Sequence, residues 1–211
     1  MSISLRLPLA LCAMLVTCLL PATASLHAQS SAATVASQVD RLLGEEIGIP
    51  EGVRQSTDEV FLRRAFLDVI GEPPTSDDVF AFSLDDRADK RTRLVQQLLS
   101  DASYGKNWGR YWRDVIMLRR TEDRAVLAQQ SLEAFLVEQF NANTPWNRIA
   151  TDLITAEGDI REDGRTGLIM AQGGRPEETV AEISRIFIGI QIQCAQCHDH
   201  PTDRWTREQF H

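Results

Sequence analysis

A cysteine pair followed directly by a histidine has the clearest chemical potential in the chain. Residues 194–198 read Cys-Ala-Gln-Cys-His, the C-x-x-C-H order by which c-type haem is attached to a polypeptide. In that chemistry Cys194 and Cys197 form thioethers with the haem, and an imidazole nitrogen of His198 is the proximal iron ligand. The sequence therefore predicts haem c as cofactor, with Cys194, Cys197 and His198 as cofactor-binding residues and His198 as metal ligand.

The same residues suit two other kinds of site. Two thiolates separated by two residues, together with His200 or His211, have the ligand types of a zinc site, which needs four ligands. The two cysteines could also form a plain disulfide or a redox pair. Haem, zinc and a thiol pair are therefore alternative hypotheses for this segment.

The residues around the motif bear on how an iron would be held. Asp199 and Asp203 are candidates to hydrogen-bond His198 through a carboxylate, which would orient the imidazole, although Asp203 is also placed to cap a helix starting near Trp205. No Met follows His198, and Met117 and Met170 upstream are typical of core filling. We therefore expect a five-coordinate iron, or a distal ligand in a C-terminal continuation.

The N-terminal residues predict export. Residues 7–20 form an apolar run preceded by Arg6 and broken by Pro21, and Ala22-Thr23-Ala24 has the small residues of a cleavage site. We assign residues 1–24 to a signal peptide, with cleavage after Ala28 as the alternative, and residues 25–34 to a flexible tether. The run is too short for a membrane span, so the mature chain is expected to be periplasmic or extracellular, without a span.

Charge limits the classes of partner. The formal net charge is −8 over 211 residues. Nucleic-acid binders carry basic patches, so we expect no nucleic-acid partner. Removal of the signal peptide leaves only the two cysteines of the motif, and one close pair is no disulfide framework.

Periodicity predicts an all-α fold, an irregular multi-helix bundle in which the C-x-x-C-H loop follows an amphipathic helix. Apolar residues recur at helical spacing with no alternation long enough for a sheet. The helical domain is assigned to residues 35–211. Its helices are expected near residues 35–47, 56–70, 88–99, 103–118, 131–141, 146–155 and 177–189.

Two segments that precede the motif have distinctive patterns. Val180, Ile183, Ile186, Phe187 and Ile190 form one apolar helical face that would deliver the cysteines to a hydrophobic wall. Glycines cluster from 158 to 174, which favours a mobile loop.

Three sets of residues resemble a known family. They are Leu62-Arg63-Arg64 with Leu67-Asp68, Gly71 and Pro73-Pro74-Thr75; Tyr104-Gly105 with Trp108 and Trp112; and Cys194–Pro201 with Asp203 and Trp205. Together they resemble an exported family typical of planctomycetes, described as planctomycete cytochrome C type two and of unknown function. Thr202 stands where that family commonly has an aromatic residue. The resemblance covers residues 35–211 and implies further C-terminal domains, so the chain is expected to be a truncated member.

These observations predict an exported c-type haem-binding domain for electron transfer within a larger cell-envelope protein, with an unidentified redox partner protein. The alternatives are a non-catalytic zinc or interaction module and an accessory domain of an envelope hydrolase. No catalytic constellation is visible, so the sequence leaves open whether the protein is an enzyme.

Overall fold

The protein is helical throughout the residues that the structure describes. That structure is a computed structural model, and it describes residues 22–48 and 55–211. No strand occurs in these ranges, which confirms the predicted all-α fold. The α-helices are α1 (Ala22–Ile47), α2 (Asp58–Ile70), α3 (Ser76–Ser83), α4 (Lys90–Leu99), α5 (Ala102–Met117), α6 (Gln129–Asn141), α7 (Trp146–Ile154), α8 (Gly167–Ala171), α9 (Pro176–Ile183) and α10 (Arg207–Phe210).

Helix α1 belongs to a first unit, separate from the compact unit Ser56–His211. It includes residues 25–34, for which the sequence predicts a flexible tether; that stretch contains neither Gly nor Pro and is rich in Ala, a strong helix former. Most of the predicted signal peptide, residues 1–21, lies outside the described residues. No helix within the described ranges is both long and apolar enough to cross a membrane.

A first core joins helices α2, α3 and α4 in the compact unit. Leu62 and Phe66 of α2 and Leu98 of α4 are buried together, and Phe82 of α3 joins them. Helix α2 is capped by Thr57, whose side chain accepts a hydrogen bond from the backbone N–H of Val60. This core holds the N-terminal part of the unit.

A second, larger core holds the part of the unit that carries the motif. Helices α5 and α6 cross closely at Gly109, where an added Cβ would lie 2.7 Å from Cγ2 of Val137. The leucine and isoleucine side chains with no exposed surface come from α6, α7 and α8: Leu132, Leu136, Ile149, Leu153 and Leu168. Ala125 and Ala128, just before α6, are also fully buried.

The glycine-rich segment 158–174 differs from the predicted mobile loop. It contains a 3₁₀ turn at Gly164–Thr166 and helix α8, and Leu168 and Ala171 are completely buried in the larger core. Glycine content was misleading here because Gly164 and Gly167 are themselves buried against α6.

Candidate functional site

The cysteine motif lies on a short 3₁₀ turn, Gln193–Gln196, that follows the last long helical segment. Cys194 and Cys197 are both free and exposed. Ala195 between them is fully buried, and its backbone N–H donates to the carbonyl of Ile192 at 2.9 Å. The turn is therefore pinned at its centre while both thiols face solvent.

The helical approach to the motif contains a change of winding. Helix α9 continues at Ser184 into a π-helical turn, Ser184–Ile188, which ends at Gly189. The buried hydroxyl of Ser184 donates to the carbonyl of Ile190 at 2.9 Å, and the backbone N–H of Ile190 donates to the carbonyl of Ser184 at 3.2 Å. This pair of hydrogen bonds sets the direction in which the chain leaves the helix toward the cysteines.

Only part of the predicted apolar face of this segment packs against the core. Ile183, Ile186 and Phe187 are half-buried and pack against the larger core, but Val180 is 42% exposed. The π turn changes the angular spacing of side chains, so a face extrapolated at α-helical spacing does not remain continuous. The hydrophobic support for the motif comes from residues 183–187.

Two side-chain hydrogen bonds hold Gln193, the residue immediately before Cys194. The Gln193 side chain accepts from Nη2 of Arg119 at 3.0 Å and donates from Nε2 to Glu178 at 3.3 Å. The segment just after α5 and the start of α9 thus both hold the residue before the motif. Sequence analysis missed this role of Gln193, since nothing local links it to Arg119, 74 positions earlier.

A buried carboxylate lies behind that contact. Glu182 is 5% exposed and pairs with Arg185 at 2.7 Å and with Arg119 at 3.6 Å. Arg185 also donates to the carbonyl of Val115 at 3.1 Å. Through these contacts the buried carboxylate and Arg185 connect α9 and the π turn to Val115 of α5 and to Arg119 just after it.

The imidazole of His198 is oriented by the backbone. Its Nδ1 lies 2.7 Å from the carbonyl oxygen of Asp199. Because a carbonyl only accepts hydrogen bonds, Nδ1 carries a proton, and in the neutral ring Nε2 then has the free lone pair that a metal ligand needs. The ring is exposed, and Nε2 has no hydrogen-bond partner among the residues the structure describes.

Neither aspartate contacts the His198 ring through its carboxylate, but Asp199 does bind the start of the following helix. The Asp199 carboxylate accepts the backbone N–H of Arg207 at 2.9 Å, at the start of α10, and the Asp203 carboxylate accepts that of Arg204 at 2.7 Å. The cap of α10 is Thr206, in a capping box with Gln209. The predicted carboxylate contact to His198 is therefore replaced by a carbonyl contact, and the cap predicted at Asp203 is wrong.

The two histidines that follow His198 in the chain, His200 and His211, contact backbone groups. Nε2 of His211 lies 3.0 Å from the carbonyl of Gln196, and Nδ1 of His200 accepts a long hydrogen bond of 3.4 Å from the backbone of Thr202. Within residues 22–48 and 55–211, no group of three or more His, Cys, Asp or Glu side chains is assembled to hold a metal.

Two methionines and two tryptophans, Met117, Met170, Trp112 and Trp146, lie in or against the larger core. Met117 is 3% exposed and Met170 packs against the same core, as their types predict. The rings of Trp112 and Trp146 are tilted by 40° with centroids 4.2 Å apart, and Trp146 also contacts Phe187, with centroids 5.7 Å apart. These rings connect the core to the helical segment that precedes the motif.

A family model described as PSCyt2, a protein of unknown function (DUF1549), matches residues 50–211. The chain belongs to the PSCyt2 family. This confirms the family resemblance drawn from the three sets of motif residues. No curated protein and no solved structure matches the chain.

The PSCyt2 match covers the whole of the compact unit. Arg119, Gln193 and the segment 194–198 all lie inside it. The family is a planctomycete cytochrome c-like domain whose function is not established, so any assignment of chemistry to this PSCyt2 member has to come from its own residues.

Proposed function

We propose that the chain is an exported domain that carries haem c covalently at Cys194 and Cys197, with His198 as proximal ligand, and that transfers single electrons within the cell envelope. The observation that carries this proposal is the combination of two exposed thiols with an imidazole whose Nε2 is free and whose Nδ1 donates to a carbonyl. A hydrogen bond at the second ring nitrogen fixes the tautomer that ligates iron.

The residues present fit the group that the motif implies. Thioether formation needs two accessible thiols at this spacing, and both are exposed on one turn anchored by buried Ala195. When bound, haem would supply one-electron redox chemistry at its iron. The protein's part is to hold the turn through Gln193 and to keep His198 in its ligating tautomer.

Zinc remains the alternative cofactor, and the geometry favours it less. A structural zinc needs about four ligands. The described part of the chain holds no assembled group of even three candidate side chains, and His211 already uses Nε2 on the carbonyl of Gln196. Haem attachment requires only the pentapeptide itself, so it is the assignment that needs less rearrangement.

The test is covalent haem content after export. The full chain is expressed in a host with cytochrome c maturation, and the purified protein is denatured and extracted with acidified acetone. We expect the extracted protein to retain a pyridine haemochrome band, because thioether bonds survive this treatment.

Matched controls make the result decisive. The Cys194→Ser/Cys197→Ser variant should be exported without the band, while a known c-type cytochrome made in the same cells confirms that maturation works. A colourless wild-type protein from that host would overturn the haem assignment, and zinc found in it by elemental analysis would establish the alternative.

A further inference from the structure

Helix α3 presents an apolar face that no described residue covers. Phe80 is 68% exposed and Leu84, directly after the helix, is 66% exposed; neighbouring Val79 is 40% exposed. Phe80 and Leu84 are four residues apart, so their side chains lie side by side on one surface. Isolated exposed apolar residues are ordinary, but an adjacent pair on a rigid helix is a candidate contact surface.

The rigidity of α3 comes from its opposite face and its start. Phe82 is buried, its ring stacks on that of Phe61 with centroids 6.4 Å apart, and Nζ of Lys90 lies 4.9 Å from the Phe82 centroid. Thr75 and Asp78 form a capping box at the N-terminus. The exposed pair is therefore presented by a helix that is already ordered, which lowers the entropy cost of binding.

The segment that carries the exposed pair is acidic, and of the three basic residues that follow it on α4, Lys90, Arg91 and Arg93, the first two are ion-paired with Asp58. Residues 72–89 contain six acidic residues and one basic residue, Arg87, for a net charge of −5. Arg87 is bound to Asp85. The acidic residues of this segment without an ion pair to any described residue are Glu72, Asp77, Asp78, Asp86 and Asp89.

We propose that Phe80 and Leu84, with the acidic residues around them, form a docking surface for a partner protein that has an apolar groove edged by Lys and Arg. The i, i+4 pair would anchor in the groove in the manner of helix-in-groove recognition. The acidic border would steer the encounter and exclude acidic surfaces. A second copy of this surface is a poor occupant, because two segments of net charge −5 repel each other.

The probe for this surface is a synthetic amphipathic helix of leucine and lysine, about 18 residues long and labelled with fluorescein. Binding to the full chain is followed by fluorescence anisotropy. We expect saturable binding that weakens with added salt, and that Phe80→Ser/Leu84→Ser weakens by about tenfold or more.

The matched control is Val126→Ser/Leu127→Ser, since these residues are also adjacent and are 51% and 58% exposed on a different surface. This pair should change the affinity by less than about twofold. Both variants alter exposed residues, and circular dichroism checks that each keeps the wild-type helix content. Equal weakening by the two pairs, or no saturable binding by the wild type, would overturn the proposal.

Two further measurements locate the contact and test the competing occupant. Carbodiimide should couple the lysines of the peptide to Asp77 or Asp86, as mapped by mass spectrometry; coupling confined to acidic residues outside 72–89 would contradict the assignment. Sedimentation equilibrium of the protein alone should show no association that Phe80→Ser removes. Association that depends on Phe80 would make a second copy the occupant and overturn the basic partner.

Discussion

Nδ1 of His198 lies 2.7 Å from the carbonyl oxygen of Asp199, its own neighbour in the chain. The contact is local, so it requires no distant element to orient the imidazole. It also separates the two ring nitrogens by function, because the nitrogen that donates to a carbonyl cannot ligate a metal. The nitrogen left to bind a metal is Nε2.

This relationship predicts different outcomes for two nearby histidines. His198→Ala is expected to alter the visible spectrum of reduced protein, normalised to covalent haem, or to abolish haem incorporation, because the proximal ligand is removed. His200→Ala should leave both unchanged, since the His200 ring makes only a 3.4 Å contact to Thr202. Identical spectra for wild type and His198→Ala would contradict the ligand assignment.

The buried pair of Glu182 and Arg185 predicts a large stability effect away from the motif. Arg185→Ala removes the nearest partner of a carboxylate whose side chain is 7% exposed. We expect it to lower the free energy of unfolding by about 2–3 kcal/mol, at the lower end for a broken buried pair because Arg119 remains at 3.6 Å. Urea denaturation followed by circular dichroism measures the change.

Two comparisons test the cause of that loss. Arg148→Ala breaks an exposed pair with Asp152 and should cost less than about 1 kcal/mol. Glu182→Met/Arg185→Met removes both charges and should be less destabilising than Arg185→Ala alone, because no unpaired charge stays buried. A double variant that is worse than the single one would show that packing, and not the orphaned carboxylate, determines the effect.

The close packing of Gly164 and Gly167 against α6 predicts that replacing each glycine by alanine destabilises the fold to a different extent. A Cβ at Gly164 would lie 2.0 Å from the backbone oxygen of Ser131, whereas one at Gly167 would meet the side chain of Leu132 at 3.0 Å. A side chain can shift where a backbone carbonyl cannot, so Gly164→Ala should destabilise by about 3 kcal/mol or more and Gly167→Ala by about 1 kcal/mol. Thermal unfolding that ranks them in the reverse order would contradict the packing of α6 against this segment.

Much of the fold could be predicted from local sequence patterns. Apolar spacing predicted the helices near 103–118, 131–141 and 146–155, and the structure has α5, α6 and α7 there. The mistakes occur where tertiary contacts override local signals. The glycines between 158 and 174 indicated a mobile loop because sequence alone does not distinguish a glycine that permits flexibility from one that permits close packing.

The candidate site likewise contains residues that local sequence predicts and residues that only tertiary contacts reveal. Cys194, Cys197 and His198 could be identified as candidates from the sequence because the C-x-x-C-H pattern is defined by local spacing alone. The residues that hold them were not, since Arg119 lies next to Gln193 only in the folded chain, 74 positions away in sequence. The carbonyl partner of His198 could not be predicted either, because every residue has a backbone carbonyl and the sequence does not show which one the imidazole contacts.

A repeated local pattern, an acidic residue followed two positions later by Arg, predicts how stability depends on pH. In Asp85, Glu122, Asp159 and Asp163 the carboxylate accepts both the backbone N–H and the guanidinium of the residue two positions on. The guanidinium hydrogen bond is the main cause that holds the pKa of each carboxyl below its usual value.

A carboxyl whose pKa is lower in the folded state stabilises the fold above its unfolded-state pKa, about 3.9 for Asp, and loses that contribution as the pH falls through its folded-state pKa. The free energy of unfolding should therefore decrease as the pH is lowered below about 4. Asp159→Asn/Asp163→Asn removes two of the titrating groups and should make this decrease shallower, although the variant is less stable at neutral pH. Urea unfolding at a series of pH values measures both slopes. Parallel curves for variant and wild type would mean that these two turns do not contribute to acid sensitivity, and that the lowered pKa values of Asp159 and Asp163 are not linked to folding.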